Sequence, residues 1–533
     1  MTRLCSERNY PPYGIIPSPP PKGRQMTSGL LSTQWDGPTG EQTFEQLQQR
    51  LPALFAGRDA HAPTLVVVPS LSLDSEELRK IKGVIHFEER LLFLTQALRV
   101  PDARMLYVTS LPLQETVLDY ALGAISSLPT GHARSRLTLL DCADDSSHPL
   151  TEKILKDDGL VERILSAIPD RDQAYLVTFN STPLERALAV RLGIPLYACD
   201  PALSPSGTKS GGRQLLRMAG VPVPDGFEDI RDEQGLVKAL TELRAQNAGC
   251  ERAVVKLDES FAGCGNAVFS YAGAPATGLE AWVSANLPER LSFTAQSDTW
   301  ESYGARLWEM GGIVERFIDT PGACSPSVQL EIDPVRGAQV VSTHEQVLGG
   351  AAGQVFVGCT FPAGPAYRTE IQRLALRAGE ALAAKGVLGH LSVDFLVEDP
   401  VSGQGIHALE INLRMGGATA PFFLLHGAVE GTYAQDTGEY LTPEGEPRCY
   451  VATDRAQREG FELLRPEEVV DIALREGLHY SQATRTGVVF YVLGALPGVG
   501  KLGMVAIEKS PEKAQRLYDT MLTAAEAACT RRG

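Results

Sequence analysis

The stretch "HLSVDFLVEDPVSGQGIHALEINLRMGG", His390–Gly417, reads as two strands around a turn rich in Asp, Pro, Ser and Gly. With the turn centred on Ser402, Asp394 falls opposite Glu410. Side chains alternate along a strand, so Ser392 and Asp394 share one face with Glu410, Asn412 and Arg414. The other face carries Leu391, Val393, Phe395, Val397, Leu409, Ile411 and Leu413, an apolar surface for a core. Two carboxylates placed opposite each other destabilise a sheet unless something compensates. A divalent cation does so, and two carboxylates with an amide oxygen suit Mg²⁺, which completes its shell with water and substrate phosphates. The alternative is an exposed hairpin in which Arg414 neutralises one acid. The "MGGATAP" that follows weighs against it, because small residues permit a ligand to come close.

Upstream lie the cations that a polyphosphate requires. Lys256 ends the strand "AVVK", and the hairpin turn behind it holds Gly263 and Gly265, whose amides can cradle phosphates. Lys209 opens the helix after "SPSGT", and "GGIVERFI" forms a strand with Glu315 among apolar neighbours. Each has a plainer reading, as a solvated lysine or an edge-strand acid. His344 and Glu345 in "STHEQ" are weaker candidates for substrate contact.

Taken in order, these pieces resemble the ATP-grasp fold: lysine before "GVPVP", lysine before a glycine hairpin, "VERFI", then "SVDFLV … LEINLRMGG". The resemblance spans about Ser204 to His426. It implies Asp394, Glu410 and Asn412 as ligands of one or two Mg²⁺, and Lys209 and Lys256 on ATP phosphates. It further implies adenine beside the Glu315 strand, and Arg414, with Lys256, at the reacting acyl group. Two departures stand out. Where many members hold ribose with an acid, "DTPGACSPSVQ" offers Ser325 or Ser327, and Ser392 occupies a position that is often basic. From about Leu65 the chain also resembles the pheganomycin-type peptide ligases of bacterial peptide antibiotic biosynthesis. The matching stretches are "VVVPSLSLD", "GVIHFEERLLFL", "GTKSGGRQLL", "VVKLDESFAGCGNAVF", "STHEQVLGG" and "TRTGVVFYVLGALPGVGKLGMVAIEKSPEKAQRLY".

The rest of the chain frames this centre. "TLVVVPS", "RMLYVTS", "RLTLLDC" and "AYLVTF" alternate with helical patterns, including His86–Arg99, as in a parallel α/β layer. The expected organisation is a Pro-rich, poorly ordered tail (1–60), a Rossmann-like pre-ATP-grasp domain (61–203) and an ATP-grasp domain (204–435). A small C-terminal α/β domain (436–533) follows, and the whole is α/β (α+β) in class. "GALPGVGKLG", Gly494–Gly503, looks like a phosphate loop but has Leu502 where a hydroxyl is needed and strand-like sequence after it. It reads as a connection between strands.

A formal charge of −16 and the lack of a basic stripe argue against nucleic acid, and no apolar run suggests a membrane span. Nine cysteines without a CxxC pair fit reduced thiols in the cytoplasm. The expected activity is an ATP-dependent carboxylate–amine ligase that forms a peptide bond through an acyl phosphate, in secondary-metabolite synthesis. Its substrates would be small amino-acid or peptide carboxylates and amines, with a homo-oligomer left open. The alternatives are an acid–thiol ligase of the same fold and a non-catalytic ATP-binding regulatory protein.

Overall fold

The computed structural model of the protein describes residues 43–57, 62–260, 265–295, 297–349 and 355–530. Four short apolar runs form a parallel sheet: β1 (Thr64–Val68), β2 (Arg104–Thr109), β3 (Leu137–Asp141) and β4 (Ala174–Thr178), in the order β3-β2-β1-β4. Strand β1 is buried on both faces, as a parallel strand between helical layers must be. Leu65 and Val67 enter one core while Val66 and Val68 enter another. The segment expected as a helix over His86–Arg99 takes 3₁₀ hydrogen bonding over Val84–Arg99.

A small five-stranded sheet comes next: β5 (Gly226–Phe227), β6 (Arg252–Leu257), β7 (Asn266–Ser270), β8 (Leu291–Phe293) and β9 (Gly312–Arg316). Its core gathers Val255, Phe269, Leu240 and Tyr303.

The large sheet has ten strands. Its first half comprises β10 (Pro326–Asp333), β11 (Gly337–Gly349), β12 (Val355–Phe361), β13 (Gly389–Asp399) and β14 (Gln404–Asn412), in the order β14-β13-β10-β11-β12. The helix Arg368–Ala384 closes its apolar side with Ile371, Leu374, Ala375, Ala378 and Leu382, spaced to fall on one helix face. The remaining strands are β15 (Thr432–Ala434), β16 (Glu439–Leu441), β17 (Pro447–Ala456), β18 (Gly487–Tyr491) and β19 (Leu502–Glu508).

Three expectations need correction. Part of the expected tail is ordered: Phe44–Gln48 and Leu51–Gly57 are helices, with a capping box at Thr43 and with Leu47 and Leu51 fully buried. Residues 1–42 and 58–61 lie outside the described residues, as does the glycine-turn candidate Gly263. The C-terminal strands form no separate layer. Strand β17 pairs with β12 along Cys359–Phe361, so the sheet runs on across residue 436, and one core holds Leu65 and Tyr107 together with Phe422, Val488, Phe490, Leu502 and Met521. Third, the facing register in the β13–β14 hairpin shifts by one after Asp394↔Glu410. Phe395 then pairs with Ala408, and Ala408 takes the core place expected of Leu409. The extra residue is a β-bulge, a device that re-aims side chains beside functional sites.

Candidate active site

Strands β13 and β14 bring the two acids together as the sequence implies: Asp394 pairs with Glu410, and Ser392 with Asn412. The Asn412 amide donates to Asp394 Oδ2 at 3.0 Å. From the other side, Ser327 of β10, in register with Asp394, donates its hydroxyl to Oδ1 at 2.7 Å. Burial and the neighbouring Glu410 charge push the Asp394 carboxyl up to about 6. Glu410 moves the opposite way. Burial works against its charge, yet Lys209, Arg414 and Lys256 hold it below the ordinary carboxylate range.

Each lysine is positioned by backbone. Thr208 caps its helix by accepting from Gly211 N at 3.0 Å, which sets Lys209 at the first helical position. Lys209 Nζ then lies 2.5 Å from Glu410 Oε1, with the lysine only 7% exposed. Asp258, next but one after Lys256, accepts from Ser210 N at 2.7 Å, and its carbonyl accepts from Lys209 N at 3.1 Å. The end of the lysine strand β6 is thereby tied to the start of the Lys209 helix.

Lys256 pairs with Glu315, a diagonal neighbour on the same face of β9. The second oxygen of Glu315 accepts from Arg213 Nη1 at 2.9 Å, and Arg213 also reaches Glu228 and the Pro224 carbonyl, both at 2.7 Å. Glu315 is therefore a buried carboxylate held by two cations. Arg213, 1% exposed, escaped the sequence reading, although an arginine on the inner face of the Lys209 helix was a visible signal. Gly265, just before β7, permits a close approach: a Cβ there would lie 2.5 Å from Ser260 Cβ. Ser325 donates its hydroxyl to the Phe395 carbonyl at 3.3 Å.

A second group missed from sequence runs behind the acids. Thr419 donates to Gln329 Oε1 at 3.1 Å, and Gln329 Nε2 donates to Ser327 Oγ at 3.3 Å. Gly416 N, in the glycine turn, donates to Thr419 Oγ1 at 2.9 Å, so the turn and Asp394 share one buried network. Gly417 allows a close approach, since a Cβ would lie 2.4 Å from the Phe356 ring. His344, in contrast, is fully buried, pairs with the Tyr450 hydroxyl at 2.6 Å and is pushed down to about 3 by burial. It is a neutral core histidine. Glu345 accepts from Gly364 N and Tyr367, away from the acid pair. Lys501 of the glycine-rich loop donates to the Lys82 carbonyl at 2.8 Å and lies over the Phe87 ring, bracing the loop against the N-terminal layer.

Among the described residues no cluster of three or more His, Cys, Asp or Glu side chains could hold a metal. Two acids and an amide make an incomplete cage, which suits an ion that shares its shell with phosphates and water.

Residues 203–274 and 282–435 match the family described as IQCH-like, ATP-grasp, and residues 468–521 match the PGM1 C-terminal domain. The chain is 32% identical to an L-propargylglycine--L-glutamate ligase of Streptantibioticus cattleyicolor, over 85% of this chain and 92% of that protein. It is 24% identical to IQ motif-containing protein H of Danio rerio, over 80% of this chain and 45% of that longer protein. In fold it is similar to the biotin carboxylase–β,γ-ATP complex of Campylobacter jejuni, with TM-score 0.52, 12% identity, 88% of this chain and 95% of that one. The biotin carboxylase domain of Hydrogenobacter thermophilus 2-oxoglutarate carboxylase, solved with MgADP and bicarbonate, gives TM-score 0.50 at 11% identity, over 86% and 90% of the two chains. With its paired acids, converging lysines and glycine hairpin, the chain belongs to the ATP-grasp superfamily, as an ATP-dependent ligase of the pheganomycin-type peptide ligase group.

Proposed function

We propose that this ATP-dependent carboxylate–amine ligase works through an acyl phosphate. A carboxylate is a poor electrophile because its charge is delocalised and oxide would have to leave. A carboxylate oxygen takes the γ-phosphoryl group of ATP, and ADP departs. The amine nitrogen then attacks the acyl carbon, the C–O bond breaks, phosphate leaves with the electron pair, and the nitrogen loses a proton to solvent. The observation that carries this reading is the convergence of Lys209 and Lys256, from separate elements, on the acid pair and its support.

In this reading Asp394, Glu410 and Asn412 hold Mg²⁺. The donor set fits, because two carboxylates opposed across a sheet with one amide are hard oxygen ligands. When bound, the ion supplies charge neutralisation to the phosphate oxygens. Lys209 and Lys256 neutralise the same oxygens, and the pairing with Glu315 keeps Lys256 extended towards them. Phosphoryl transfer asks for little more than such positioning and charge. Gly265 contributes the close-packed base of a hairpin over the phosphates, Arg414 steadies the acyl group, and Ser325 accepts from a ribose hydroxyl while donating to Phe395. Adenine lies beside the Glu315 strand.

The substrates are assigned as amino acids or short peptides, because the Streptantibioticus relative is named for joining two amino acids. A role in peptide natural-product synthesis agrees with that similarity. No described helix is long and apolar enough to cross a membrane, and the described cysteines are free thiols, which supports a cytoplasmic assignment.

Hydroxylamine trapping tests the scheme. With ATP, Mg²⁺ and a panel of amino-acid carboxylates, a hydroxamate and ADP should form together. Release of AMP and pyrophosphate would sink the acyl-phosphate route, and acceleration by coenzyme A in place of an amine would favour thioester formation.

A further inference from the structure

Two segments carry the chain between the small sheet and the large one: residues 221–225 enter β5, and residues 317–325 lead from β9 to β10. They are bonded to each other, Arg316 N donating to the Asp225 carbonyl at 2.8 Å. Both are also fastened to the β13–β14 hairpin, beyond the acid pair and past the bulge. Ala408 N donates to the Pro222 carbonyl at 2.8 Å, and Cys324 exchanges backbone bonds of 3.1 and 3.0 Å with Val397.

Between these ties lies a stretch with no ladder to hold it. Phe317 N donates to the Arg252 carbonyl at 3.1 Å, and from there to Thr320 the chain is irregular. Ordering such a stretch costs backbone entropy, so a fixed position needs side-chain anchors. From the small sheet, Arg252 pairs with Asp319 and covers the Phe317 ring at 4.2 Å from its centroid.

From the large sheet the anchor is Glu398, on the same face of β13 as Asp394. Its Oε1 accepts from Arg316 Nη2 and its Oε2 from the Thr320 hydroxyl, each at 3.1 Å. His407, paired with Leu396 across the hairpin, brings Nε2 to 2.9 Å from Oε1. Burial works against the Glu398 charge, yet His407, Thr320 and Arg316 hold its carboxyl below the ordinary range. Arg316 Nε and His407 Nδ1 are buried without a hydrogen-bond partner among the described residues, so Glu398 is the one side-chain anchor of each. Bonds to a charged acceptor are also the strong kind.

The distance along the strand gives this anchor its meaning. Four residues separate Glu398 from Asp394, about 13 Å at the rise of a strand. An extended ATP spans a similar length from its base to its last phosphate. With the phosphates at the acid pair, the base falls at the Glu398 end.

We propose that Glu398 is a positioning residue for the nucleotide: by pinning Arg316 and Thr320 it holds the peptide edge of Ile318 and Asp319 against the base. The proposal rests on the reading that places adenine beside the Glu315 strand, and it names the residue that keeps that edge in place. Without the pin, the phosphates still meet Lys209, Lys256 and the acid pair, but the base meets a loose segment.

Calorimetric titration of the full-length protein in Mg²⁺ tests this with three probes: AMP-PNP, a non-hydrolysable ATP analogue, GMP-PNP and inorganic tripolyphosphate. The wild type should bind AMP-PNP most tightly. Glu398→Ala should weaken AMP-PNP about tenfold, the scale of losing hydrogen bonds to a charged group. It should also narrow the margin over GMP-PNP and leave tripolyphosphate unaffected. Glu398→Gln, which still accepts from Thr320, should fall between. Thr320→Val removes only a hydroxyl and keeps the β13–β14 pairing, so it carries the same test, at about threefold, if the alanine variant fails to fold. Equal losses for AMP-PNP and tripolyphosphate, or a lower Tm with adenine preference intact, overturn the proposal. A wild type that binds AMP-PNP no better than tripolyphosphate removes the adenine placement and the role of Glu398 together. Adenine preference that survives both Glu398→Ala and Thr320→Val removes the role of Glu398 alone.

Discussion

Lys209 Nζ lies 2.5 Å from Glu410 Oε1, the carboxylate that faces Asp394 across the hairpin. One lysine thus offsets the repulsion that two opposed acids would otherwise create. Lys209→Met should leave the acids unbalanced and make the folded protein depend on a cation. Its Tm should rise more on adding Mg²⁺ than that of the wild type, because a ligand stabilises the state that binds it. A smaller Mg²⁺ response in the variant would count against the pair as a cation site. Glu410→Gln should lower ADP release by about 10²–10³-fold, in line with the loss of one charge-stabilising group.

Glu315 makes the second prediction. Its carboxylate is 3% exposed and joins Lys256 to Arg213. Removing one partner of a buried ion pair typically costs about 3–5 kcal/mol. Glu315→Ala should approach that figure in urea unfolding and should raise the KM for ATP, since Lys256 loses its guide. Loss of stability with an unaltered ATP KM would separate Glu315 from nucleotide binding.

Glu88 gives a pH signature. It accepts from the Ser110 amide at 2.7 Å and the Ser110 hydroxyl at 2.5 Å, yet burial dominates and pushes its carboxyl up to about 7 from 4.5. The folded state therefore holds this proton more tightly than the unfolded state does. The stability it contributes is complete below about pH 4.5 and is lost as pH rises through 7. Glu88→Gln carries no such proton, so its stability relative to wild type should improve by up to about 3 kcal/mol between pH 4.5 and 8. Parallel pH profiles for the two proteins would refute the assignment.

Gly417 is predicted to admit no side chain. Gly417→Ala would place a Cβ 2.4 Å from the Phe356 ring and push the glycine turn or the ring aside. Turnover should fall at least tenfold with little change in Tm, about the effect of misplacing a reacting group by an ångström. Phe356→Leu in the same chain should restore part of the activity. A fully active Gly417→Ala would show that the turn tolerates the shift.

The hairpin that carries Asp394 and Glu410 was legible because one face of a strand must be apolar and the other can carry function, and period two exposes the division directly. The register held through Asp394↔Glu410 and failed one residue later, at a bulge that no local pattern announces. The helices at Phe44–Gln48 and Leu51–Gly57 were readable from Phe44, Leu47, Leu51, Leu54 and Phe55, but the prolines before them drew the tail boundary too far along. Glu315 was correctly placed on its strand. Its two cationic partners come from Arg213 and Lys256, far apart in sequence, and could not be paired without the fold. The same holds for Ser327, Gln329 and Thr419, three ordinary polar residues that acquire meaning only side by side.

The core that joins Leu65 and Tyr107 to Val488, Leu502 and Met521 also sets an order of events at birth. Strands β1 and β2 leave the ribosome early, and Leu91, Phe93, Val117 and Leu122, which share their core, follow at once, but the far half of that core, from Val488 to Met521, is made last. At about 5–20 residues per second, the core waits tens of seconds for that half. A chain halted after residue 435 would lack it and leave the apolar residues that pack against it uncovered. The terminal strands thus complete a core that the first-made layer begins.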